Sequence, residues 1–202
     1  MSHLELGAVV LAAGLSRRMG RPKLPDDDAG PGPLSCVMDT LGAVDLAALV
    51  VVVSAEAGTA AAGLPPAARR VVFSDPAGGV AGSLRKGVGA LPPGLDGAYV
   101  VLADMPEVRA GTYAALRAAL ASAPGVEAAV PWHAGQRGNP VLLRPGLLAR
   151  VDALRGDTGF GALLRSQAAR VLPVPVEDAG VLADLDTLAA LAAWRQRRRL
   201  PR

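Results

Sequence analysis

Cysteine is almost absent from this 202-residue chain, and Cys36, the only one, cannot form an internal disulfide. A lone thiol fits a reducing compartment, so a cytoplasmic location is expected. Aromatic residues make up 3% of the sequence, too few for a base-stacking surface. No apolar run is long enough to span a bilayer. The first, Leu6 to Leu15, is short and broken by glycine, and Met1 to Glu5 lack the basic start of a signal peptide. Neither a membrane nor a nucleic acid is expected as a partner. The net charge of +3 is modest, and much of it lies in a basic tail at about residues 195–202, read as a solvated helix end.

The chain is of a size that forms one domain, and such a domain buries about 70% of the surface its unfolded form exposes. Residues 1–202 are therefore read as a single domain. Short β-branched runs alternate with longer helical segments, the pattern of a mostly parallel sheet covered by helices. The expected strands are Ala8 to Ala13, Leu49 to Ser54, Arg70 to Ser74, Ala98 to Ala103, Glu127 to Pro131, Pro140 to Arg144 and Val171 to Val176. Helices are expected over Leu34 to Ala43, Ser83 to Ala90, Gly111 to Ala121, Gly146 to Leu154, Gly161 to Ala169 and Leu188 to Arg199. Pro25 to Pro33, with three adjacent aspartates among prolines and glycines, reads as a mobile loop. The class is α/β, and ligands of open α/β sheets bind at the carboxyl ends of the strands.

The segment after the first strand carries Gly14, Ser16, Arg17, Arg18, Gly20, Arg21 and Lys23. Glycines let the backbone turn its N–H groups toward an anion, and four cations within residues 17–23 could spread over the charges of a triphosphate. The spacing is neither a Walker A loop nor GxGxxG, which argues against P-loop enzymes and NAD-dependent oxidoreductases. Asp104, at the end of the fourth strand and stiffened by Pro106, is placed to hold Mg²⁺, although an aspartate after a strand also caps turns. Asp184 and Asp186 offer a second carboxylate, Asp186 alternatively serving as a helix N-cap. Asp75 to Gly87 is a glycine-rich approach to a helix on which a flat base could lie, with Ser83 as its cap or as a donor to the base. His133 and Arg137 stand in a polar loop where they could meet an acceptor phosphate or simply face solvent.

Leu11-Ala12-Ala13-Gly14-Leu15-Ser16-Arg17-Arg18-Met19-Gly20-Arg21-Pro22-Lys23 closely resembles the LxAGxSxRMGxxK signature of the MobA-like NTP transferase family, whose members make molybdopterin dinucleotide cofactors and related compounds. Asp104-Met105-Pro106 resembles the family's D-M-P, and Asp184-Leu185-Asp186-Thr187 its D-x-D-T, with Leu188 where proline is usual. Gly79 to Leu84 stands between the cytidylyl and guanylyl versions of the base segment. Arg137 to Leu143 and Gly156-Asp157-Thr158-Gly159 are similar to the cytidylyl branch.

The resemblance implies a single-domain, Rossmann-like three-layer fold of the nucleotide-diphospho-sugar transferase type with a mostly parallel mixed sheet. It implies transfer of a nucleotidyl group from a nucleoside triphosphate, CTP first and GTP second, to a phosphorylated acceptor such as molybdopterin, with release of pyrophosphate. A molybdoenzyme or its maturation factor is the expected protein partner. Lys23, Arg18 and Asp104 would be catalytic, and Mg²⁺ would sit on Asp104 and Asp184. The nucleotide would meet Leu11, Ala12, Ala13, Gly14, Ser16, Arg17, Gly20, Asp75, Gly82 and Ser83. The acceptor would meet His133, Arg137, Asn139, Asp157 and Asp186.

Overall fold

The computed structural model describes residues 3–13, 30–55, 64–166 and 170–199, without the side chains of Pro76, Ala162 and Arg199. Its strands are β1 (Leu6–Leu11), β2 (Ala48–Ser54), β3 (Ala68–Phe73), β4 (Gly97–Leu102), β5 (Ala128–His133), β6 (Gln136–Arg137), β7 (Val141–Leu143) and β8 (Val171–Pro175). Its helices are α1 (Pro33–Gly42), α2 (Gly79–Val88), α3 (Ala110–Ser122), α4 (Pro145–Leu148), α5 (Phe160–Ser166) and α6 (Leu188–Arg199).

The strands form one sheet in the order β3-β2-β1-β4-β7-β5-β6, with β8 beside β5. β1 pairs in parallel with both β2 and β4, and β2 with β3. The short β7 runs antiparallel between β4 and β5, which makes the sheet mixed. β5 and β8 are again parallel.

The central strands read as unbroken apolar runs because both faces are covered. In β2, Val51 and Val53 pack with Leu34, Val37, Leu41 and Leu116 from α1 and α3. Their neighbours Val50 and Val52 join Ala81, Leu84, Leu147 and Leu163 on the other face, beneath α2, α4 and α5. Strand alternation thus sorts one valine run into two cores and produces three layers. Tyr99 and Tyr113 meet edge to face at 5.3 Å, and the buried Tyr99 hydroxyl donates to the Tyr113 carbonyl.

A third, smaller core docks α6. Trp194, Leu191, Leu185 and Cys36 pack together, and Trp194 is 1% exposed. The basic tail is therefore partly structural, since Arg195, Arg197 and Arg198 continue α6. Arg198 lies 5.1 Å over the Trp194 ring, and Arg197 pairs with Glu107 at 3.3 Å. Among the described residues no helix is long and apolar enough to cross a membrane.

Three expectations shift. α2 begins at Gly79, four residues before Ser83. The segment expected to be helical over Gly146 to Leu154 divides into α4 and a 3-10 turn, Ala149–Ala153. The loop before Asn139 contains the short strand β6, hairpinned onto β5. The Pro25 to Pro33 loop lies outside the described residues as far as Ala29.

Candidate active site at the carboxyl edge of the sheet

β1 and β4 end in register, Leu11 opposite Leu102, while β2 runs on past Val52 to Ser54. The Ala12 amide donates to the Val52 carbonyl at 2.8 Å, and the Ala103 amide to the Leu11 carbonyl at 3.1 Å. Leu11 and Ala12 are buried and Ala13 is half-buried, so the chain leaves this edge directly beside the start of the Asp104 turn. Gly14, Ser16, Arg17, Arg18, Gly20 and Lys23, all singled out from the sequence, lie outside the described residues.

Asp104 is half-buried in the turn that follows β4. Its carbonyl accepts the Leu185 amide at 2.9 Å. Leu185 is buried against Trp194 and Cys36, whereas Asp184 is exposed and Asp186 half-buried. The two carboxylate-bearing segments, far apart in the chain, therefore lie side by side at one edge. Among the described residues no group of three or more His, Cys, Asp or Glu gathers as a metal cluster. The N-cap of α6 is Thr187, whose hydroxyl accepts the Ala190 amide at 3.0 Å, so the capping role weighed for Asp186 belongs to its neighbour.

Asp178, which is not among the residues singled out from the sequence, holds this edge together. Its buried carboxylate accepts the Arg109 amide at 2.9 Å, the Thr112 hydroxyl at 2.6 Å and the Gly180 amide at 3.0 Å. It thereby caps the 3-10 turn Ala179–Leu182 and ties it to the start of α3. In the same turn the Val181 carbonyl accepts the Asn139 amide at 2.9 Å. The start of α3 and, through the 3-10 turn, the Asn139 loop thus share one anchor. An aspartate two residues before a glycine is an Asx-turn signal that could have found it.

The segment expected to read a base enters α2 through a 3-10 turn, Pro76–Gly78, where the exposed Asp75 accepts the Ala77 amide at 3.0 Å. Gly79 has φ +57°, and a Cβ there would stand 2.6 Å from the Gly156 carbonyl group. The Ala81 amide donates to that carbonyl at 2.9 Å. The Gly156-Asp157 turn is therefore seated on the first turn of α2, and only glycine permits so close an approach. Ser83 is buried, and its hydroxyl donates to the Val80 carbonyl at 2.9 Å. Its proton is engaged inside the helix and it stands past the helix start, which corrects the capping role expected of it. Gly82 is packed under the Phe73 ring.

On the far side of that turn, His133 Nδ1 lies 2.8 Å from the Val176 carbonyl, an acceptor only, so Nδ1 carries the proton and fixes the ring. Arg137 is paired in register with Trp132 and donates to the Gly161 carbonyl at 3.4 Å. Partial burial, and then the neighbouring Arg165, pull its guanidinium below the usual arginine range. Asn139 precedes a cis peptide bond to Pro140. Asp157 is exposed, with Oδ1 beside Gly79.

Comparison of the sequence with curated proteins finds no significant match. Among solved structures, the chain is similar to a Mycobacterium sp. homologue of the Mycobacterium tuberculosis protein Rv0371c. Identity is 28% and the TM-score 0.82, over 95% of this chain and 96% of the other. It is similar to Rv0371c from M. tuberculosis in a complex with manganese, at 26% identity and TM-score 0.78, over 96% and 100% of the two chains. A 4-diphosphocytidyl-2C-methyl-D-erythritol synthase from Anaerococcus prevotii shares the fold at 14% identity and TM-score 0.76, over 98% and 97%. These neighbours have the expected nucleotide-diphospho-sugar transferase fold. The MobA-like NTP transferase domain matches residues 8–171, and the chain belongs to that family.

Proposed function

We propose that the protein is a divalent-metal-dependent cytoplasmic nucleotidylyltransferase that joins the nucleotidyl group of CTP to a phosphorylated acceptor, molybdopterin first, and releases pyrophosphate. The observation that carries this reading is the backbone bond from Leu185 to Asp104, which sets two carboxylate segments at the sheet edge where the β1 loop departs.

Oxygen-only donors of this kind suit Mg²⁺ or Mn²⁺, and a relative 26% identical to this chain is described with manganese. Asp104 and Asp184 would hold the ion. When bound, it would supply positive charge to the phosphate oxygens. The chain's own residues do the rest. The amides and cations of the β1 loop, with Arg18 among them, bind the triphosphate. Lys23 offsets negative charge that grows at the α-phosphate, and Asp186 faces the acceptor side. The Gly156-Asp157 turn, seated on α2, keeps nucleotide and acceptor in adjoining compartments, so that an acceptor phosphate oxygen lies in line with the departing pyrophosphate. CTP is preferred over GTP because Arg137 to Leu143 and Gly156 to Gly159 are similar to the cytidylyl branch, while Val80-Ala81-Gly82 favours GTP as the second reading.

Thermal denaturation with each of CTP, GTP, ATP and UTP plus Mg²⁺ tests the nucleotide, since a ligand at a hundred times its dissociation constant adds about 2.7 kcal/mol. CTP should rank first, and with molybdopterin as acceptor its kcat/KM should exceed that of GTP. Lys23→Ala should lower turnover roughly a hundredfold in a folded protein. Nucleotide binding with no turnover under any acceptor would point to a non-catalytic binding protein. A higher kcat/KM for GTP would make the α2 entry the better guide.

A further inference from the structure

Two guanidinium groups converge on one point of the acceptor side. A Cβ built on Gly161 would lie 3.0 Å from Arg137 Nη2 and 3.7 Å from Arg165 Nη1. The two side chains come from different elements, Arg137 from the β6 hairpin and Arg165 from α5, and both residues are exposed. Among the described residues neither makes an ion pair. Like charges held this close repel, and the arrangement becomes favourable when an anion lies between them. Gly161 is what leaves the space, because any side chain there would fill it.

The neighbour on this face is Trp132. Residues directly opposite in an antiparallel pair project to the same face, and Trp132 is the register partner of Arg137. Trp132 is 41% exposed, one of the few large apolar side chains left to solvent among the described residues. The Gly156 turn, which precedes α5, touches the start of α2, whereas Gly161, in α5, lies beneath the guanidinium pair. The pair therefore stands on the α5 side of the turn that is seated on the α2 entry.

We infer that Arg137 and Arg165, with Trp132 beside them, form a phosphate-monoester subsite that holds the acceptor. Arg165 is then a specificity-determining residue of the transfer. The acceptor's role rests on the proposed nucleotidyl transfer, but the site itself is testable without it.

The probe is phenyl phosphate, titrated against the purified protein while tryptophan emission is followed. The sequence contains two tryptophans and the other, Trp194, is 1% exposed, so a change on binding reports Trp132. Wild type should respond saturably, and Trp132→Phe should abolish the signal. Arg165→Ala should weaken the apparent Kd by roughly tenfold or more, and Arg165→Lys by less, because a lysine restores charge without the planar fork. Inorganic phosphate should compete, and phenol should not. Arg150→Ala, which removes an exposed cation elsewhere, should leave Kd unchanged.

An unchanged Kd in Arg165→Ala, equal weakening in Arg150→Ala, loss of binding in Lys23→Ala, or no response in wild type would each overturn the subsite. The nucleotide thermal shift separates the two ideas. If wild type ignores every nucleotide but binds the probe through Arg165, the transfer reaction falls and the subsite stands. If nucleotides bind and Arg165 makes no difference to the probe, only the subsite falls.

Discussion

Gly79→Ala should be far more damaging than its single added methyl suggests. The residue has φ +57°, a left-handed conformation that costs an L-residue about 1–2 kcal/mol. The new Cβ would also stand 2.6 Å from the Gly156 carbonyl carbon and oxygen and 2.7 Å from Asp157 Oδ1. Two of those atoms are backbone and cannot swing aside, so the Gly156 turn must lift from α2. That movement would stretch the bond from the Ala81 amide to the Gly156 carbonyl, worth about 1 kcal/mol. The total comes to about 2–3 kcal/mol. Two controls separate the contributions. Gly94 has φ +87° with nothing within 4 Å of a built Cβ, so Gly94→Ala measures the backbone strain alone. Gly111, in the first turn of α3, has open space and no positive φ, and its alanine variant should be neutral or stabilising by up to about 1 kcal/mol. Urea unfolding of the three variants gives the comparison, and a nucleotide thermal shift shows whether the α2 entry has moved. If Gly79→Ala loses no more stability than Gly94→Ala, the seating of the Gly156 turn on α2 is not a tight contact, and its role as a partition fails with it.

Asp178→Ala would leave the Arg109 amide, the Thr112 hydroxyl and the Gly180 amide without their acceptor, at a cost of about 3 kcal/mol or more in denaturant unfolding. A loss under about 1 kcal/mol would show that water replaces the carboxylate and that the anchor is dispensable. Thr187→Ala should cost about 1 kcal/mol by removing the α6 cap, and an unchanged midpoint would return that role to another residue. Burial raises the Tyr99 hydroxyl from its ordinary 10.0 to about 12. The folded chain thus holds this proton more tightly than the unfolded one, and the contribution is present below pH 10.0 and lost as pH rises toward about 12. Unfolding of wild type and Tyr99→Phe across that range should show wild type losing relative stability, with its phenolate absorbance appearing late. A constant difference between them would contradict the burial.

The strands and cores are legible in the sequence because an unbroken β-branched run such as Val50 to Val53 suits a strand covered on both faces and little else. Element ends are less so. The start of α2 is hidden because helix propensity counts glycine against a helix, and only the seating of Gly156 on Gly79 and Ala81 reveals why glycine is there. Asp104 and the Asp184–Asp186 segment can be singled out by residue type, but their adjacency rests on a main-chain bond with no sequence signature. Ser83 resembles a cap only while the helix is taken to begin beside it. Arg165 gives no signal at all, since its meaning depends on a hairpin that brings Arg137 to the same point.

The bond from Leu185 to Asp104 also orders events in time. Leu185 comes after β8, so the contact closes a loop that contains every element from α3 to the Asp178 turn. Such long closures form late, once the intervening sheet exists to bring the ends together. During synthesis the β1–β4 core can assemble while the second carboxylate segment is still within the ribosome. The Asp104 turn therefore acquires this partner only after the strands that precede Leu185 have been made.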